Sequence, residues 1–173
     1  QSGSVPHRSI MYHAKMTFFV AGVSRRLTHE LIRHYVGADR TEEGSPSMES
    51  TRYTDHPGVY IVPPRMIASG ADAVTQFGED MSQGYTAYRR YIDSEVAEYT
   101  NLHGSAPKGM DRKRIYEAAA GQLHGQAATS VMWTANPVSL DKMFLERTDE
   151  SADLEFRRLA LAWQTVCRAR WPN

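Results

Sequence analysis

Cysteine is nearly absent. Cys167 is the only one, so no internal disulfide can form and no cysteine-based zinc site exists. Net charge is absent too: twenty Lys and Arg face twenty Asp and Glu. That argues against a dedicated duplex-DNA binder, which needs a strongly basic face. No apolar run is long enough to span a membrane, and no stretch resembles a signal peptide. A cytoplasmic location is therefore the expectation. The phosphate-cradling patterns GxGxxG and GxxxxGK followed by Ser or Thr are missing, and so is HExxH. Walker-type phosphate binding and zinc-protease chemistry lose their usual carriers. Cys167 has no His near it in sequence. Its place in the amphipathic closing helix points to core packing rather than to an activated nucleophile. Lysine is scarce, at Lys15, Lys108, Lys113 and Lys142 only, against sixteen arginines. That bias suits an anionic ligand, because guanidinium binds carboxylate and phosphate through a planar fork. It equally suits a GC-rich genome.

What is present is an ordinary globular balance, with 41% hydrophobic and 23% charged residues in 173. Such a chain buries one sizeable core and is short for two ordinary domains. Gln1–Ser4 reads as a cloning remnant, leaving 5–173 as a single domain. Met11–Val20 reads as a strand ended by Gly22, with Phe18 and Val20 alternating against Thr17 and Phe19. Val23, Leu27 and Leu31 predict a helix over Val23–His34, with Ser24 or Gly22 at its start. Residues 35–50 read as a loop. Val59–Val62 reads as a short strand stopped by Pro63-Pro64.

The longest apolar stripe is Val74, Phe77, Met81, Tyr85, Tyr88, Ile92, Val96 and Tyr99, which predicts a helix over Ala71–Tyr99 that Gly78 and Gly84 weaken. A short helix over Asp111–Ala120, a strand over Thr129–Thr134 and a helix opened by Asn136-Pro137 follow. A closing helix over Ser151–Arg170 has Phe156, Leu159, Trp163 and Val166 inward. The fold class is α+β, a small mixed sheet flanked by long helices.

One cluster carries chemistry. Arg25, His29, Arg33 and His34 are expected on the polar side of one helix, and Ser50-Thr51-Arg52-Tyr53 follows sixteen residues later. Arg groups near a Ser-x-Arg pair suit a phosphate or pyrophosphate. The bland alternative is a solvated helix face paired with Glu42, Glu43 or Glu49.

The segment Gly22 to His34, with Arg33-His34 and Ser50-Thr51-Arg52-Tyr53, resembles the signature region of flavin-dependent thymidylate synthases. His13 and Thr17-Phe18 resemble that family's first strand. Trp133-Thr134-Ala135-Asn136, Ser139-Leu140 and Leu145-Glu146-Arg147-Thr148-Asp149 resemble its later motifs, in order. The resemblance covers most of residues 7–165. It implies flavin-dependent methylation of uracil C5 in a nucleoside monophosphate, with FAD and NADPH as cofactors and methylenetetrahydrofolate as carbon donor. It also implies a homotetramer with shared active sites, and no nucleic-acid or membrane partner. Arg147 and Ser50 are implied as catalytic. Arg25, Glu30, Ser50, Arg52 and Arg147 are implied to hold the nucleotide. His13, Arg33, His34, Asn136 and Lys142 are implied to hold the flavin, and no metal is implied. The structural alternatives are a partly buried, satisfied His13, a solvated Lys142, and an Arg147 ion-paired to Asp149 or Glu150.

The chain departs from the family at Tyr35, Glu30, Met48, Ala120 and Lys142, and its spacer from Val36 to Glu49 is fourteen residues. Arg112 or Arg114 is the expected stand-in for the arginine missing near Ala120. These departures make it similar to the short UMP/dUMP methylases of polyoxin-type nucleoside-antibiotic pathways. UMP is then the expected substrate, with Glu30 accepting a ribose hydroxyl. A housekeeping dUMP enzyme, a non-catalytic flavin- or nucleotide-binding relative, and an Arg-rich RNA-binding module are the alternatives.

Overall fold

The computed structural model describes residues 11–36 and 46–170. Gln1–Ser4 and the loop residues Glu42 and Glu43 lie outside the described residues. The α+β class expected from the sequence is the class adopted. Two compact units are distinguished. One joins the residues up to Met48 with those from Ser130 onward, and the other is Glu49–Thr129. Among the described residues no helix is long and apolar enough to cross a membrane.

The first unit is built on a three-stranded sheet of β1 (Met16–Ser24), β2 (Ser47–Met48) and β3 (Ala128–Ala135), in the order β1-β3-β2. β2 runs antiparallel to β3, with Ser47 opposite Met132 and Met48 opposite Val131. Alternation sorts the faces: Val131, Trp133 and Ala135 are buried and Met132 is exposed, as the period of two requires. In β1 the same rule puts Phe18 inside and Phe19 outside.

Two boundaries of β1 differ from the sequence reading. It starts at Met16 rather than Met11, because Met11–Tyr12 form a 3₁₀ turn. It also runs past Gly22, whose left-handed φ of 72° breaks the alternation so that Val23 and Ser24 are both buried. Glycine takes this conformation without a steric penalty.

Ser24 then starts α1 (Arg25–Leu31). Its Oγ accepts from the Leu27 N–H at 3.0 Å and donates to Glu155 Oε2 at 2.7 Å, while its own N–H donates to Glu155 Oε1 at 2.8 Å. The helix expected over Val23–His34 is thus shorter at its start and is interrupted at Ile32. A separate turn, α2 (Arg33–Val36), follows. Leu27 and Leu31 go into the core as the stripe predicts.

α6 (Pro137–Arg147) opens on Asn136, whose Oδ1 accepts from the Ser139 N–H at 2.9 Å, with proline at a position whose missing N–H costs nothing. α7 (Leu154–Arg170) starts where Asp153 Oδ1 accepts from the N–H groups of Glu155 and Phe156. Its buried face is Phe156, Ala160, Trp163 and Cys167. Val166 is exposed, against the sequence reading: the step of four from Trp163 falls on Cys167, and Val166 lies about 100° off that line. Trp163 stacks between Phe18 (4.3 Å, 22°) and Trp133 (5.5 Å, 13°), and these rings form the centre of the core.

The second unit is helical. α3 (Pro64–Ser69) and α5 (Gly109–Ala119) pack on α4 (Ala71–His103). The α4 stripe buries Phe77, Met81, Tyr88 and Ile92, and the helix ends on Gly104 at a left-handed φ of 71°. Gly84 leaves room for the exposed His124 ring: a Cβ there would lie 2.5 Å from it, so the imidazole would have to shift. The strand expected over Val59–Val62 is reduced to one antiparallel bridge, Tyr60 with Ala127, with Ile61 N–H on the Gln126 carbonyl. Pro63 and Pro64 have no N–H with which to extend it.

Ser24 joins a helix start to a distant helix, so its hydroxyl carries two bonds at once. Ser24→Ala is expected to lower unfolding free energy by about 1–3 kcal/mol, measured by denaturant titration.

Candidate functional site

Arg147 is the last residue of α6, where a cation suits the carbonyl end of the helix. Its side chain is largely buried and is held on three sides. Nε donates to His34 Nε2 at 2.8 Å, and Nη1 donates to Glu30 Oε2 at 2.7 Å. The guanidinium carbon lies 4.9 Å from the Phe156 ring centroid. The carboxylate that pairs with it is Glu30, 117 residues away in sequence, rather than the alternative of Asp149 or Glu150. Asp149 instead accepts from Ser151, which holds its carboxyl below the usual value.

His34 is not on the polar helix face. It is buried, because it lies seven residues after Leu27 and three after Leu31, on the helical line that those two carry into the core. Its ring meets Phe156 edge-on at 5.7 Å and 83°, and its Nδ1 lies 3.8 Å from Glu146 Oε2. Burial first, then the Arg147 charge, pushes its pKa below 6.5; Lys142 and Arg33 push the same way and Glu146 opposes them. Arg33, Lys142 and Arg147 therefore make a positive field around one neutral imidazole.

The remaining residues of the first unit sort as follows. His13 is exposed, as are His29, Arg33 and Lys142, and Arg25 is half-buried. Asn136 is buried and its carbonyl oxygen serves the α6 cap. Glu30 pairs with Arg147, while Arg26 pairs with Asp153 at 2.8 Å. Met48 packs against the core beside Val131.

In the second unit, Ser50 opens a turn. Its carbonyl accepts from the N–H groups of Tyr53 and Thr54, and its Oγ accepts from the Arg52 N–H at 3.3 Å. Arg52 is exposed and pairs with Glu117 at 3.3 Å. Lys113 sits 5.0 Å over the exposed Tyr53 ring and bonds its hydroxyl, which lowers that phenol's pKa. Arg112 bonds the Tyr116 hydroxyl at 2.9 Å and covers its ring, whereas Arg114 is exposed near Asp111.

A polar network in this unit was missed by sequence reading. The buried Tyr88 hydroxyl donates to Asp55 Oδ1 at 3.1 Å and accepts from the His56 N–H at 3.2 Å. Burial pushes its pKa up to about 12. The Gly58 N–H donates to His56 Nδ1, so the ring proton sits on Nε2 and points at the Ala128 carbonyl, 3.3 Å away. Arg89 closes the network on Asp55 at 2.6 Å and Asp93 at 3.0 Å. Tyr88 lies inside the α4 apolar stripe, where its hydroxyl gives no periodic signal.

Comparison with known proteins adds a family. The model described as "Thymidylate synthase complementing protein" matches residues 2–173. Curated relatives include a flavin-dependent thymidylate synthase of Mycolicibacterium vanbaalenii, 31% identical over 157 residues, covering 91% of this chain and 59% of that protein. One from Mycobacterium sp. (strain KMS) is 32% identical over 162 residues, covering 91% and 60%. One from Mycobacterium tuberculosis is 29% identical over 160 residues, covering 91% and 59%. The chain thus spans about three-fifths of the length of these relatives.

Cys167 is buried, and burial pushes its thiol pKa up. A raised pKa and an enclosed sulfur make a poor nucleophile. Native protein at pH 8 is expected to resist alkylation until it unfolds, as followed by mass spectrometry. Cys167→Ser is expected to cost about 1–3 kcal/mol of stability, because it buries a more polar group.

Proposed function

This chain belongs to the thymidylate synthase complementing protein family, and on that premise we propose that it is a flavin-dependent methyltransferase acting on C5 of dUMP. The names of the relatives support this substrate. The finer reading, UMP as substrate in nucleoside-antibiotic biosynthesis, rested on Glu30 as an acceptor for a ribose hydroxyl. Glu30 commits one carboxylate oxygen to Arg147, which weakens that ground, so dUMP takes first place. A homotetramer with shared sites stays part of the proposal on the resemblance alone.

The observation that carries the reading is the held guanidinium of Arg147. As C5 of the pyrimidine becomes nucleophilic, negative charge moves onto the ring carbonyl oxygens. A cation already fixed in place stabilises that charge without reorganising at the moment of reaction. Arg147 Nε and one Nη1 hydrogen are taken by His34 and Glu30, and in the proposed complex the Nη2 edge addresses the base. On the resemblance alone, phosphate-binding roles are assigned to Arg25 of the first unit and, separately, to Ser50 and Arg52 of the second, residue types whose donors suit a dianion.

The donors of the first unit fit a flavin dinucleotide. His13, Arg33 and Lys142 are exposed, and cationic side chains suit a diphosphate. When bound, FAD supplies the redox chemistry, with NADPH as reductant and methylenetetrahydrofolate as one-carbon source. The protein's part is positioning and charge, which agrees with a thiol too buried to attack.

The test is direct. Purified protein is expected to carry a flavin visible spectrum and to methylate dUMP when NADPH and methylenetetrahydrofolate are supplied. UMP is expected to have the lower kcat/KM, and a preference for UMP would restore the antibiotic-type reading. Arg147→Ala is expected to keep the flavin absorbance per protein and lose about 10²–10³ in kcat/KM. Wild-type turnover in that variant would remove Arg147 from the reaction.

A further inference from the structure

We propose that His34 is a positioning residue for Arg147: the neutral ring, with its proton on Nδ1, holds the guanidinium through Nε2, and protonation of the ring releases it. The geometry dictates the tautomer. Arginine Nε always carries hydrogen and has no lone pair to offer. It lies 2.8 Å from His34 Nε2, so Nε2 is the acceptor and the ring proton is on Nδ1, facing Glu146 Oε2 at 3.8 Å. Phe156 fixes both partners, meeting the imidazole edge-on and the guanidinium face-on. Glu30 holds the other end of the guanidinium.

The charged groups around the ring are Arg147, Lys142 and Glu146 from α6, and Arg33 from α2, with Glu30 acting through Arg147. Cations outnumber the one nearby carboxylate, and the ring is buried. Both facts disfavour the imidazolium, in agreement with its lowered pKa. Once protonated, Nε2 becomes a donor opposite a donor, and two positive charges meet at hydrogen-bond distance. The sign for stability follows. The folded-state pKa lies below the ordinary 6.5, so this contribution is fully present above about 6.5 and is lost as pH falls through the folded value.

The consequence for nucleotide binding rests on the role proposed above for Arg147, whereas the pairing does not. The experiment separates the two. Nitrogen-15 NMR of the histidine rings in the wild-type protein is expected to show His34 as the Nδ1–H tautomer at pH 7, titrating below 6.5. In Arg147→Ala the His34 titration is expected to move up. An Nε2–H tautomer in the wild type, or an unmoved titration in the variant, would overturn the proposal. The wild-type measurement needs no variant to fold.

Calorimetric binding of dUMP across the same pH range is the second arm. The nucleotide phosphate titrates near 6 as well. His34→Gln, whose amide oxygen accepts but does not titrate in this range, gives the baseline for that contribution. Wild-type affinity is expected to fall about tenfold more than that of His34→Gln on the acid side, the size of one hydrogen bond to a charged group. His34→Phe, with no acceptor, is expected to be about tenfold weaker at neutral pH. Identical pH dependence in wild type and His34→Gln would overturn the release step. If dUMP binds at no pH while the ring behaves as expected, the nucleotide reading falls and the His34–Arg147 coupling stands.

Discussion

A largely buried guanidinium organises the first unit. Taking a charge out of water is costly unless its hydrogen bonds are met in place. Arg147 meets them with one residue from each of three other helices: the Glu30 carboxylate from α1, the His34 nitrogen from α2 and the Phe156 face from α7. The arrangement is mutual. Glu30 and His34 are themselves groups that would be left unsatisfied without Arg147, so the three stand or fall together. A site whose work is to present a fixed charge needs this kind of over-determination, because a loosely held arginine would have to be ordered during the reaction.

The same rule, that buried polar groups must be paired, sets the helix starts and the second unit. Glu155, near the start of α7, accepts both the backbone and the side-chain hydrogen of Ser24, and so ties α7 to the start of α1. In the second unit, Tyr88, Asp55, His56 and Arg89 settle a phenol, two ring nitrogens and a carboxylate within one network. Both arrangements join segments distant in sequence, Ser24 with Glu155 and Asp55-His56 with Tyr88-Arg89, each within its own unit.

Periodicity made the large elements legible. The Val23, Leu27, Leu31 line and the α4 stripe point inward as spacing requires, and Asn136-Pro137 caps α6 as its chemistry requires. The failures have physical causes. His34 reads as polar beside Arg33, yet it falls seven residues after Leu27 and three after Leu31 and so continues their buried line. Val166 and Cys167 differ by one residue, and only the packing of Trp163 sets the phase. Gly84 read as a weak point, yet it is where the His124 ring approaches the helix. The family was legible in ordered motifs, but Arg147's partners were not. A pairing across 117 residues leaves no local pattern, and the sequence offered only the nearby acids Asp149 and Glu150.

The central claim is that Glu30 and Arg147 are one energetic unit. A double-mutant cycle on unfolding free energy tests it most directly, using Glu30→Gln, Arg147→Met and the pair of substitutions together. The account predicts a coupling of about 1–3 kcal/mol, the double variant being less destabilised than the two single changes combined. Additivity within about 0.5 kcal/mol would contradict it and reduce the contact to a surface pairing without consequence for the site.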